Sequence, residues 1–469
     1  MPRPLTALAL LAAAVLVLPA TPAAAGGSPP TTVSGASPLH PGCGGSPQTG
    51  RLYRDSEIGP SVAVDPARPW RRAVTWQQDR WDNSSAQAAL SAYSRDGGRT
   101  WAPSVPPAFT ACTGGHYQRA SNPQLSAGPD GRMYLATYAA DDVTEPGTAM
   151  LVSTSTDGGR SWGPVTTLVS DEEMLVDYDR HSVVADPHRP GHAMVVWTEQ
   201  VFTPDFATFD GRTFVARTTD GGRTWSRPRL ILDLPGTEVT SFAVEIVHLR
   251  GGGLVAGLTI IEGERFSAAA IRSSNGGRTW SAPVVIDVID LAEVTDPRDG
   301  SAVRHGDFRV DIAADPRPGR RTVHAVWTDD GAGTPQVLHS RSTDAGRTWS
   351  RPRRVSARPA VPAFTPAVAV NAAGTVGVTY YDLSADTVAS PALDTDYWFT
   401  ASSGGGWSPR RRLTAGSFDL RRAPVAFGFF LGDAMGLDTA GRAFVPAFAV
   451  TGPLVVGPTD VVAAEVSGR

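Results

Sequence analysis

One turn motif recurs along the chain at near-regular spacing, and it limits the fold more than any other feature. It reads Ser94-Arg-Asp96-Gly-Gly98-Arg-Thr100-Trp101 and returns around Asp157, Asp220, Asn275 and Asp344, each copy ending in Trp. A worn sixth copy ends at Trp407, with Ser402 in the Asp place and Gly404 kept. The Trp-to-Trp spacings are 61, 63, 55, 69 and 58 residues. Asp accepts backbone N–H bonds across a tight loop, Gly takes a positive φ, and Trp packs its ring beneath. Asn275 replaces Asp without disturbing the rest of its copy, as an acceptor can and a catalytic carboxylate cannot. The boxes at Asp96, Asp157, Asp220, Asn275 and Asp344 are therefore read as structural.

A second pattern precedes each box: two short apolar strands around a turn. It runs through 61–77 and returns at 124–137, 182–198, 244–259, 311–328, 367–380 and 435–448. Asp-Pro, Asp-Gly or Asn-to-Gly signals mark most of the turns. Units of about 60 residues, each of four short strands, predict an all-β fold, a β-propeller. Seven hairpins predict seven four-stranded blades, or six if one hairpin is an insertion. The last blade lacks a fourth strand, and the segment near 51–54 is expected to supply it. The 49 Gly and 39 Pro fit so many turns.

Three spans follow. Residues 1–25 read as an export signal: Arg3, an apolar run from Leu5 to Leu18, and small residues that place cleavage near Ala25. Residues 26–50 read as a flexible segment, and 51–469 as one propeller domain. The mature chain is expected to be secreted, since no later segment reaches membrane-spanning length. Cys43 and Cys112 are the only cysteines, and in an exported chain they predict a disulfide. The formal charge is −4 with no basic run, which argues against a nucleic-acid or polybasic membrane partner. No histidine pair shows metal-ligand spacing, and no phosphate-cradling loop or nucleophile elbow occurs. Neither metal nor cofactor is expected, and the working unit is expected to be a monomer.

Propeller wiring sorts the polar residues. Loops entering first strands and leaving second strands share one face, and the boxes lie on the other. The first face collects Glu57, Asp79, Arg80, Trp81, Arg119, Asp179, Arg180, Arg304, Tyr381, Asp382 and Asp433. Glu245 lies within a first strand, and Arg421 on a long later connection. Carboxylates, arginines and aromatic rings around a funnel suit a glycan partner.

The boxes resemble the Asp-box (BNR) repeats of the sialidase, or neuraminidase, superfamily. Asp55-Ser-Glu57-Ile, Trp76-Gln-Gln-Asp79-Arg-Trp81, Thr379-Tyr-Tyr-Asp382 and Phe429-Phe-Leu-Gly-Asp433 look like secreted bacterial sialidase-like proteins. The resemblance spans roughly 50–466. It implies three arginines gripping a substrate carboxylate, a Tyr nucleophile polarised by Glu, and an Asp acid/base. By position these are Arg119, Arg304 and Arg421, the pair Tyr381 and Glu245, and Asp79. Glu57, Arg80, Trp81, Asp382 and Asp433 complete the expected substrate-binding set. The family's first arginine stands in Arg-Ile-Pro, where this chain has Glu57-Ile-Gly-Pro60. The expected function is a secreted glycoside hydrolase of exo-α-sialidase type acting on terminal sugars. A non-catalytic carbohydrate-binding propeller and a lyase on an acidic glycan remain open beside it.

Overall fold

The computed structural model describes residues 29–45, 48–205, 209–234, 239–306, 308–452 and 457–468. The export signal read at 1–25 lies outside the described residues. The described chain is built of antiparallel sheets, with two short 3-10 turns as its helical pieces. The fold class read from the repeats, an all-β propeller, is the fold observed.

The strands fall into consecutive units that follow the repeats. Their first strands are Leu52–Val64, Arg119–Ala127, Val176–Ala185, Val239–His248, Asp311–Ala314, Ala363–Val370 and Gly436–Ala440. We number the units one to seven by these strands. Each first strand pairs with its hairpin partner, which pairs with a third strand. In units one to six the third strand carries the box at its end. A single pair, Ala86 with Ala120, joins units one and two into one eight-stranded sheet. The core lies between neighbouring sheets. Val74 and Trp76 of unit one pack with Val445 and Val461 of unit seven, and Val196 of unit three packs with Ile246 of unit four.

First strands have a bare edge, which must find hydrogen bonds. Side chains of adjoining first strands supply them. Ser61 Oγ accepts from Leu125 N at 3.0 Å and Ser126 Oγ from Ala185 N at 3.0 Å. Glu245 accepts from Ile312 N at 3.3 Å, and Asp311 from Val368 N at 2.7 Å. Asp438 of unit seven accepts from Val64 N of unit one at 2.8 Å. Residues of all seven first strands line one axial cavity of about 280 Å³.

Three expectations change at this level. Residues 51–54 do not complete the last sheet: Leu52–Val64 is the first strand of unit one. Thr31–Thr32 pairs with Asp460–Ala463 instead. The segment read as flexible is packed over 29–45, with Leu39 and Val33 buried and Cys43 bonded to Cys112 across a Cα–Cα distance of 4.7 Å. The sixth box is two residues short. Ser94, Ser155, Thr218, Ser273 and Ser342 each pair with the first residue of the preceding strand, and Ser402 holds that same register against Val376. Ser402 thus occupies the box's leading Ser position, and the Asp position falls to Gly404.

Candidate functional site

The entry end of the axial cavity is shaped by bulges. Register shifts interrupt first strands between Ile58 and Ser61, Ser121 and Gln124, Asp179 and Ser182, Phe242 and Glu245, and Phe364 and Ala367. Within them Gly59, Asn122, Arg180 and Thr365 take φ of 58°, 50°, 50° and 49°. A bulge takes a residue out of strand alternation and re-aims its side chain. Gly59 also meets Gly432, where a Cβ on Gly432 would stand 2.4 Å from the Gly59 Cα. That contact brings the connection between units six and seven down onto unit one.

The same connection and that between units four and five form a small added sheet. Its strands are Val294–Thr295, Ala302–Arg304 and Phe429–Phe430, the last two parallel. It carries Arg304 and Phe430 to the mouth. Arg304 donates to both Asp433 oxygens, at 3.1 and 3.0 Å, and its guanidinium lies 4.1 Å from the Phe430 ring centre. Arg180 reaches the same Asp433 at 3.0 Å, stacked on Phe242 and Phe308 at 5.3 and 5.6 Å. Arg80 covers Phe430 from 5.3 Å and donates to Gln77 at 3.2 Å. Gln77 donates to Asn122, and Asn122 donates to Asp179. Arg304 and Arg180 therefore meet on one carboxylate, with Arg80 stacked on Phe430 beside them.

Electrostatics follow from that geometry. Burial works to raise the Asp433 carboxyl, yet Arg180, Arg304 and Arg80 hold it well below the usual carboxylate range. Burial, then the like charge of Arg304, brings Arg80 down to about 9, so it stays charged at neutral pH. Deeper in the cavity, burial and then the adjacent Asp311 push the Glu245 carboxyl well above its ordinary range. The two carboxyls share a hydrogen bond, with Arg309 3.8 Å from Glu245.

The other candidates separate. Asp79 is fully buried beneath the N-terminal segment: Ser37 Oγ donates to it at 2.8 Å, Asp55 N at 2.9 Å and Gln78 at 2.9 Å. Glu57 lies in the same pocket of carboxyls. Burial raises it to about 9 despite a 2.6 Å bond from Gln78, and Asp460, Asp79 and Asp55 add to the shift. Tyr381 is fully buried, and its hydroxyl donates to Ala449 O at 2.7 Å within a stack of Phe364 and Tyr397. It does not meet Glu245, whose carboxyl partner is Asp311. Arg119 is enclosed, ion-paired to Asp142 and stacked on Trp81 at 4.7 Å. Asp382 holds Trp398 Nε1 at 2.7 Å and Arg410. Arg421 binds Asp296 at 2.5 Å and Asp299 at 3.2 Å. Of the three expected grips only Arg304 reaches the mouth. Arg180 and Arg80 lie beside it there, with Phe430, and Asp311 stands against Glu245 deeper in. Among the described residues no group of three or more His, Cys, Asp or Glu could hold a metal ion.

No family model matches the chain. Over 237 residues, 45% of this chain, it is 30% identical to a sialidase of Micromonospora viridifaciens, and it spans 35% of that protein's length. The GH93 α-L-arabinofuranosidase of Fusarium graminearum, solved with arabinobiose, superposes with a TM-score of 0.50 at 12% identity. That match covers 94% of this chain and 98% of the other. A Hadza microbial sialidase gives a TM-score of 0.47 at 16% identity, over 84% of this chain and 76% of its own. The chain thus spans about a third of the curated sialidase that it resembles in sequence, and the arabinofuranosidase match shows a shared fold.

Proposed function

We propose, with a sialidase-like propeller as the starting point, that the chain is an extracellular glycoside hydrolase that removes a terminal anionic sugar from a glycan. The observation that carries this reading is the convergence of Arg80, Arg180 and Arg304 at the cavity mouth. The three guanidiniums gather around Asp433 and Asp179 at the mouth. Guanidinium forks match a carboxylate. Asp433 orders the arginines before a ligand arrives, which lowers the entropy cost of binding. Phe427, 76% exposed and 5.9 Å from Arg304, offers a ring face to a sugar.

The chemistry belongs to the carboxyl pair below. Phe308, on which Arg180 stacks, is followed by Arg309, which contacts Glu245. Glu245, whose carboxyl burial and the adjacent Asp311 push toward the protonated form, donates its proton to the leaving glycosidic oxygen as the C–O bond breaks. Water adds to the anomeric carbon, and its proton restores Glu245. The Cys43–Cys112 disulfide, a bond kept in oxidising compartments, supports the extracellular setting together with the export signal read at 1–25.

Purified protein is incubated with an α-linked sialoside, a uronate-terminated oligosaccharide and an arabinan oligosaccharide, and released sugar is measured. Release from an anionic terminus is expected, with kcat down about 100-fold or more in Glu245→Gln. Arg304→Gln is expected to raise KM. Release from none of the three, or wild-type kcat in Glu245→Gln, overturns the reading.

A further inference from the structure

The face opposite the mouth carries a second kind of site. Between units four and five lies a crevice of about 500 Å³ lined by Arg250, Arg272, Arg321 and Arg347, with no carboxylate in its wall. Between units five and six lies another of about 470 Å³, lined by Arg317, Arg320, Arg341 and Arg353. The one carboxylate there, Asp315, is held by Arg317 at 2.6 Å. Arg272, Arg320, Arg321, Arg341 and Arg353 make no ion pair or side-chain hydrogen bond among the described residues. The second crevice is where the sixth box has lost two residues and its Asp, so Gly404 and Gly405 line the wall.

One hairpin separates the two crevices. It carries Arg320 and Arg321 side by side, the first lining one crevice and the second lining the other. Trp407 borders one crevice and Trp280 the other. We infer that this face is a binding site for an anionic polysaccharide, sulfated or uronate-bearing, that crosses the Arg320–Arg321 ridge with charged residues in both crevices.

Three features favour that occupant. Unpaired guanidiniums call for anionic oxygens, which they bind as forks. Two such crevices astride one ridge suit a polymer with repeated charges, where a single small anion would fill one. The hairpins and box turns that border them carry no exposed large apolar side chain, which a bilayer would need as an anchor. The chain's negative total hides this surface, because its arginines are scattered over separate repeats.

The test is binding without turnover, so it stands or falls apart from the hydrolase reading. Dextran sulfate, polygalacturonate, uncharged dextran, duplex DNA and phosphatidylglycerol vesicles are titrated against the protein across a salt series. Binding to both charged polysaccharides and none to dextran is expected. The double variant Arg320→Gln with Arg321→Gln should bind about 10-fold or more weakly, with the salt slope reduced by about 2, by the counterion-release argument. Arg272→Gln with Arg341→Gln should act in the same direction, each variant melting at the wild-type temperature. Arg358→Gln, on the opposite face, should change nothing. Binding to DNA or vesicles but not to the polysaccharides, or equal loss in Arg358→Gln, overturns the proposal.

Discussion

Arg180 shows what the mouth demands of one residue. A long side chain at a φ of 50° costs on the order of 1 kcal/mol of backbone strain. The stack on Phe242 and Phe308 and the ion pair to Asp433 hold it there. The sequence places it just before the first strand of unit three, and the structure places it inside that strand at the bulge, which takes it out of alternation and sets its aim. Tyr381 misled for the opposite reason. The Tyr-Tyr-Asp string looked like a family nucleophile, yet both tyrosines are buried, and only packing decides that. Glu57 carries a prediction with a definite sign. Its folded-state pKa of about 9 lies above the 4.5 of an unperturbed Glu. The fold therefore favours the protonated form, and stability present below about pH 4.5 is lost as pH rises toward 9. Glu57→Gln imitates the neutral carboxyl and should flatten that decline, gaining on the order of 3 kcal/mol at pH 7. Urea unfolding at about pH 5 and about pH 8 checks this; a wild-type stability that does not fall between them would refute it.

At the scale of the element, the box turn works by acceptor geometry. Asp157 accepts from Ser161 N at 2.9 Å, Ser161 Oγ at 2.7 Å and Ser155 Oγ at 2.8 Å. Asn275 repeats the pattern, its oxygen accepting from Thr279 N at 3.0 Å while its amide donates to Thr279 Oγ1. Asp157→Ala should therefore cost about 1 kcal/mol, and Asp157→Asn much less. A thermal melt in which the two variants fall equally would count against the acceptor account. The repeats were legible because this chemistry is local, written in eight consecutive residues. The sixth box was read two positions off, since its two missing residues show only once Ser402 is seen opposite Val376. The added sheet that delivers Arg304 was not legible: its strands are two and three residues long and come from connections more than 120 positions apart.

At the scale of the molecule, the N-terminal segment is a working part of the ring. It covers Asp79, adds a strand to the seventh sheet and is tied to the loop before unit two by the disulfide. The disulfide was readable from the two cysteines; the cover over Asp79 and the added strand were not, because 29–45 has no periodicity and its partners are distant. Replacing Cys43 and Cys112 together by Ser should cost about 4 kcal/mol for the opened 69-residue loop. Calorimetry in the absence of reductant measures that directly, and an unchanged melting temperature would show that packing alone holds the segment. The seventh sheet also sets a clock. Ser34 donates to Asp460 across 426 positions of chain, and Thr31–Thr32 pairs with Asp460–Ala463. While the chain is being synthesised, the early repeats can collapse one against the next, but this sheet has to wait for both of its halves. A nascent chain interrupted before residue 460 is an open arc with a bare strand edge at each side, visible to chaperones and proteases until its last residues arrive.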